Sequence, residues 1–163
     1  MNHYVMLVDC DVRRPSLHKS FGLEVKQGLR EYLADGTSVA PYLLKTPVQK
    51  LTLLPAGQPS SSPSELLGSE KMKSLILELK ERYPDRFLTL DTPPAHFTAE
   101  ITPLCSMMDK VLLVVREGKT KRKPVADVVA NIGRERIIGL VFNASREVQR
   151  DYRYYYQYYQ KGK

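Results

Sequence analysis

The hydrophobic positions fall into two kinds of run that alternate along the chain. Tyr4-Val5-Met6-Leu7-Val8 is apolar without polar alternation, which predicts a strand buried on both faces. Similar runs at residues 50–54, 87–90, 110–115 and 137–142 bring the number of predicted strands to five. Between them, apolar residues recur at helical spacing. Leu29, Tyr32 and Leu33 precede the stop at Asp35-Gly36, and Met72, Leu75, Ile76 and Leu79 stripe a helix over residues 70–83. Residues 101–108 also read as a helix, and Val125, Val128, Val129 and Ile132 stripe another over 121–132. Shorter helical pieces are predicted at 16–21, with Ser16 as N-cap and Gly22 as its close, at 38–44, and from Glu65 behind a Ser64 cap. Strand, helix, strand, helix with apolar strands predicts an α/β fold: a doubly wound, mostly parallel sheet flanked by helices, with right-handed crossovers.

The polar residues that matter sit where two of these strands end. The first runs into Asp9-Cys10-Asp11-Val12-Arg13-Arg14-Pro15, and the strand at 87–90 runs into Asp91-Thr92-Pro93-Pro94. Open α/β sheets bind ligands at the carboxyl ends of their strands. If both strands are parallel members of one sheet, Asp9, Asp11 and Asp91 converge at one edge. Three carboxylates there repel one another unless a cation or a proton offsets them, and hard oxygen ligands suit Mg²⁺. The plainer alternative is loop carboxylates that cap a helix or pair with Arg13 or Arg14. Asp9-Cys10-Asp11-Val12 also fits the D-x-D motif of haloacid dehalogenase-type phosphatases, with Asp9 as nucleophile. That chemistry needs a later lysine and acidic pair, for which Asp109-Lys110 is a poor substitute at the wrong end of its strand.

Length and composition narrow the class. A chain of 163 residues is one domain by size and buries roughly 70% of its unfolded surface. Its two cysteines, Cys10 and Cys105, are too few and too far apart for a zinc site or a disulfide scaffold, so a reducing cytoplasm is expected. His3, His18 and His96 have no ligand spacing. No signal-peptide pattern opens the chain and no apolar run approaches the ~20 residues of a membrane span, so a soluble protein is expected. The formal charge of +7, with a pI near 9.4, suits an anionic partner, and reads as spread along the chain rather than gathered in one block. From residue 150 onward the material changes. Tyr152, Tyr154, Tyr155, Tyr156, Tyr158 and Tyr159 are six of the ten tyrosines, interleaved with Arg153, Lys161 and Lys163. No period sorts them onto one face, which predicts a tail over 150–163 beyond a domain over 1–149.

At this point the motifs carry a resemblance. Residues 5–13 resemble the Walker A′ motif of bacterial tyrosine kinases (BY-kinases), which regulate capsule and exopolysaccharide chain length. Leu88-Thr89-Leu90-Asp91-Thr92-Pro93-Pro94 is similar to their Walker B motif. Leu54-Pro55-Ala56-Gly57, Pro63-Ser64-Glu65-Leu66-Leu67, the strand at 111–116 and the tyrosine-rich end extend the match over nearly the whole chain. Glu100, after the double proline, resembles the exosortase-associated group. The resemblance implies a P-loop NTPase-like fold that uses ATP and Mg²⁺ for protein-tyrosine (auto)phosphorylation. Asp9 and Asp11 become the catalytic Walker A′ carboxylates, Asp9 and Asp91 the metal-binding pair, Asn143 the adenine contact, and the six tail tyrosines the phosphoacceptors. Implied partners are the cytoplasmic part of a membrane chain-length determinant (polysaccharide co-polymerase) and further copies of the chain. Its implied place is cytoplasmic, at the inner face of the membrane, and no nucleic-acid partner is expected.

One departure is large. The family's phosphate loop has the form G-x-x-x-x-G-K-[ST], whose backbone amides and lysine hold the phosphates. No complete G-x-x-x-x-G-K-[ST] occurs among residues 1–163, since the Gly-Lys-Thr at residues 118–120 has Leu113 where the motif needs its first glycine. The resemblance therefore predicts impaired catalysis and weak Mg-ATP binding by this chain. It also predicts a slot in the sheet, with exposed apolar surface, where the strand leading to that loop would pack. A non-catalytic regulatory or phosphoacceptor module is the alternative function.

Overall fold

A computed structural model describes residues 3–95 and 101–145, which belong to two compact units, Met1–Met108 and Asp109–Lys163.

The first unit is built on β1 (Tyr4–Asp9). It pairs in parallel with β3 (Leu51–Leu54) on one side and with β4 (Arg86–Asp91) on the other, while β2 (Leu44–Lys45) adds antiparallel to β3. The order is β2-β3-β1-β4. β2 corrects the expectation of a helix over 38–44. A 3₁₀ turn at Ala40–Tyr42 takes that place, because Pro41 suits the first turn of a helix but cannot donate within a longer one. Among the described residues five helices accompany the sheet: α1 (Leu17–Ser20), α2 (Leu29–Asp35), α3 (Pro63–Leu67), α4 (Glu70–Arg82) and α5 (Ile101–Met107). The N-cap position of α3 is Ser62, with Pro63 in its first turn, rather than Ser64.

Helix α4 shows how sequence becomes packing. Ser69 Oγ accepts a hydrogen bond from the Met72 amide at 3.1 Å, Glu70 lies in the first turn, and Lys80 and Arg82 lie in the last. Each charge thus complements the helix dipole. The expected stripe of Met72, Leu75, Ile76 and Leu79 is buried and joins Met6 and Val8 of β1, Leu54 of β3 and Leu29 and Leu33 of α2 in one core. Replacing the fully buried Leu75 with alanine should destabilise the chain by about 2–4 kcal/mol, read from urea unfolding. A loss below about 1 kcal/mol would show that the stripe is not the core.

The second unit contains β5 (Val111–Arg116), α6 (Arg122–Ile132), a 3₁₀ turn at Arg134–Arg136 and β6 (Ile137–Asn143). β5 and β6 pair in parallel, with a register shift between Val111 and Leu112.

Three expectations need correction. The strands form a four-stranded and a two-stranded sheet rather than one sheet of five. Among the described residues nothing pairs with β4 on its side away from β1. Second, β1 is fully buried on one face only: Met6 and Val8 are enclosed, whereas Val5 and Leu7 are half-buried. In β5 the same apolar content leaves Val114 61% exposed. Hydrophobicity alone marks a strand fit for cover on both faces, not one that has it. Third, the positive charge is not spread evenly. Residues 1–108 carry 12 basic and 12 acidic side chains, and residues 109–163 carry 13 and 6, so the entire +7 belongs to the second unit.

Candidate functional site

The three aspartates expected to converge do so within the first unit. Asp9 and Asp91 are direct partners in the β1–β4 ladder, and partners in a parallel pair face the same side of the sheet. The Cys10 amide donates to the Asp91 carbonyl at 2.8 Å, which extends the pairing past the end of β1. The chain then turns back on itself. The Asp11 amide donates to Asp9 Oδ1 at 3.1 Å, the Arg14 amide donates to Asp11 Oδ1 at 3.0 Å, and the Leu17 amide donates to Asp9 Oδ2 at 3.3 Å. The carboxylates therefore also fill the plainer role of ordering a loop. Ser16 stands at the N-cap of α1, but its side chain makes no capping bond there, and Asp9 receives the first amide instead.

A second loop is held beside this one. Strand β3 ends in Pro55-Ala56-Gly57, and the amides of Leu29 and Arg30 at the start of α2 donate to the carbonyls of Pro55 and Ala56 at 2.8 and 3.0 Å. Glu31 of α2 accepts from the Gly28 amide at 2.8 Å and from the Gln58 amide at 3.3 Å. A Cβ at Gly28 would strike the Pro55 carbonyl and the Gly57 amide, so this approach needs glycine. The Ser60 amide then donates to the Val12 carbonyl at 2.8 Å, tying the two loops together. Glu31 was not among the expected functional residues. The signal for it was local, an acid three residues after a helix N-cap that reaches back to that residue's amide.

The electrostatics follow from burial. Asp9 is only 1% exposed. Its pKa is pushed up to about 6, first by loss of solvent and then by the charges of Asp91 and Asp11, against the opposing pull of the two amides it accepts. Burial and the Asp11 charge also raise Asp91. Cys10 is enclosed, and burial pushes its thiol up, so it is no nucleophile at neutral pH. A folded pKa above the ordinary 3.8 means that the fold favours the protonated form. That contribution is complete below about pH 4 and is lost as pH rises through about 6. Unfolding free energy should thus fall by on the order of 2 kcal/mol between pH 4 and 7.5, and less in Asp9→Asn. An identical pH slope in the two proteins, measured by urea titration, would contradict the burial of a titrating Asp9.

As a metal site the cluster does not fit by itself. Among the described residues no group of three His, Cys, Asp or Glu side chains is placed to hold an ion, and both oxygens of Asp9 already accept amide hydrogens. Asn143 lies in the second unit, at the end of β6. Its Oδ1 accepts the Ala144 amide at 2.8 Å and its carbonyl accepts the Glu117 amide at 3.0 Å, so it also ends the strand. Tyr152, Tyr154, Tyr155, Tyr156, Tyr158 and Tyr159 lie outside the described residues, as do His96 and Glu100.

A mostly parallel sheet flanked by helices, with carboxylates at its carboxyl edge, is the architecture of the P-loop NTPases. The septum site-determining protein MinD of Pyrococcus horikoshii, solved with Mg-ADP, superposes with a TM-score of 0.66 over 86% of this chain and 56% of its own, at 19% identity. That likeness concerns the fold alone. The VpsO kinase domain superposes with a TM-score of 0.79 at 30% identity, covering 88% of this chain and 71% of that one. The tyrosine-protein kinase YwqD of Bacillus subtilis is 29% identical over 154 residues, 93% of this chain and 64% of YwqD. No family model matches the chain. The chain belongs to the bacterial tyrosine kinases of capsule and exopolysaccharide biosynthesis.

Proposed function

We propose that this chain acts as part of a protein-tyrosine kinase that controls polysaccharide chain length, and that the tyrosines of residues 152–159 are the phosphoacceptors. The observation that supports this best is the pairing of Asp9 with Asp91, with Asp11 turned back upon them, at the carboxyl end of parallel strands. Mg-ATP is the substrate. In the transfer the tyrosine Oη gives its proton to a carboxylate and bonds to the γ-phosphorus, while the bond from that phosphorus to the β,γ-bridging oxygen breaks and ADP leaves. Asp11 is the more available base, since Asp9 is buried and holds both oxygens against amides. Asp9 and Asp91 set the negative edge that a nucleotide-borne cation would meet, and Asn143 keeps the adenine contact implied by the resemblance.

The partner in this reading is the cytoplasmic part of a membrane chain-length determinant, together with other copies of the chain. No helix among the described residues is long and apolar enough to cross a membrane. A phosphatase is disfavoured because the later lysine and acidic pair it needs has only Asp109-Lys110 as a candidate, at the wrong end of its strand. The test is anti-phosphotyrosine detection after incubating the natural gene product with Mg-ATP, wild type against Asp11→Asn. Labelling that falls at least about 100-fold in the variant is expected. Equal labelling would remove Asp11 from the chemistry. Absence of label in both would favour the non-catalytic phosphoacceptor module.

A further inference from the structure

The second unit carries positive charge that its own fold leaves unanswered. Lys119, Lys121, Arg122 and Lys123 are exposed and follow closely along the turn after β5 and the start of α6. Thr120 orders that turn: its hydroxyl accepts the Arg116 amide at 2.9 Å, and its own amide donates to the Arg116 carbonyl at 2.9 Å. Among the described residues none of the four cations is ion-paired. α6 has no acid in its first turn, so Lys121, Arg122 and Lys123 oppose its dipole as well as one another. Arg116, the register partner of Asn143, belongs to the edge where the adenine contact is proposed and lies outside this cluster.

The chain itself supplies a matching ligand once it is modified. Residues 146–163 carry five basic and two acidic side chains, so before modification they and the cluster repel each other. Each tyrosine phosphate adds about −1.5 to −2 charges, and two or three of them turn that segment negative. The end of β6 also lies beside the turn that leads to Lys119, because the Glu117 amide donates to the Asn143 carbonyl at 3.0 Å. Tyr152 is seven residues beyond Ser145, a span of up to about 24 Å. Phosphate oxygens accept short, charge-assisted hydrogen bonds from guanidinium and ammonium groups, which are the donors displayed here.

We propose that Lys119, Lys121, Arg122 and Lys123 form a phosphotyrosine-binding site whose ligand is the phosphorylated segment 152–159 of this chain. That ligand arises through the phosphoacceptor role proposed for those tyrosines, but the site can be probed without any kinase. A fluorescent peptide of residues 150–163 with phosphate on Tyr154, Tyr155 and Tyr156, added to the full chain, should bind at least about 30-fold tighter than the unphosphorylated peptide by anisotropy. Salt at about 0.5 M should remove most of the difference. A peptide with glutamate at those three positions should bind at least about fivefold more weakly than the phosphopeptide. The combined variant Lys119→Gln, Lys121→Gln, Arg122→Gln, Lys123→Gln should weaken phosphopeptide binding at least about tenfold, with an unchanged thermal melt. A control with Lys19, Lys26, Lys45 and Lys73 changed to glutamine removes the same charge from the first unit and should lose less than about threefold. Equal binding of the phosphorylated and unphosphorylated peptides, equal affinity for the glutamate peptide, or equal losses in the two variants would overturn the proposal. Failure of the phosphopeptide to bind a chain whose own residues 152–159 take up phosphate would overturn the site alone, whereas peptide binding by a chain that takes up none there would overturn only the phosphoacceptor role.

Discussion

Residues 1–163 mixed with 1 mM Mg-ATP should melt within about 2 °C of the nucleotide-free chain. Nucleotide affinity in P-loop folds comes chiefly from backbone amides and a lysine wrapped around the β- and γ-phosphates, and no complete G-x-x-x-x-G-K-[ST] loop supplies them here, because the Gly-Lys-Thr at residues 118–120 is preceded by Leu113 instead of the first glycine. The edge that is present works against phosphate binding. Asp9, Asp11 and Asp91 bring negative charge together, and burial and mutual repulsion raise the pKa of both Asp9 and Asp91. If the dissociation constant is about 1 mM, nucleotide at that concentration stabilises by about 0.4 kcal/mol, whereas a micromolar site would give about 4 kcal/mol. For a chain of this size those energies correspond to roughly 1–2 °C and 8–16 °C. A rise of 8 °C or more by scanning fluorimetry would show that another segment of the chain cradles the phosphates.

What could be read from the sequence depended on how local its cause was. The α4 stripe and the Asp9–Asp91 edge were legible because a 3.6-residue period and a strand running into an aspartate each express one short-range rule. β2 was not legible. Two residues of edge strand carry no period, and Pro41 shaped the preceding turn more than the apolar content did. The extent of the sheets was hidden for a different reason. A fully apolar strand such as β5 has the same sequence whether one face or two are covered, so hydrophobicity could not show that β5 pairs with β6 alone among the described strands. The Glu31 hub joins residues 27 positions apart through backbone amides, which leave no side-chain signature. The segregation of charge follows the boundary at Met108, which no local pattern in the sequence marks.

The tail is where the kinase reading commits itself most sharply. Six tyrosines fall within residues 152–159, and the remaining four are poor acceptors for reasons visible in the fold. Tyr32 is buried, and burial followed by the Glu78 charge raises its hydroxyl pKa. Tyr4 lies under the cations of Arg86 and Lys50, and Arg86 also stacks on Tyr83 at 4.5 Å. Tyr42 packs edge-on against Tyr32. Phosphoryl transfer requires the accepting oxygen to line up with the γ-phosphorus, which a hydroxyl held in a folded surface resists. Each phosphate adds about −1.5 to −2 charges, so about four would cancel the +7 of the second unit. The decisive measurement is mass spectrometry of this chain after incubation with Mg-ATP and an intact kinase of the same family, alongside a variant ending at Arg150. The account predicts phosphate chiefly on Tyr152, Tyr154, Tyr155, Tyr156, Tyr158 and Tyr159, and at least a tenfold drop in total label in the shortened variant. Label concentrated on Tyr4, Tyr32, Tyr42 or Tyr83, or undiminished in the shortened variant, would contradict it.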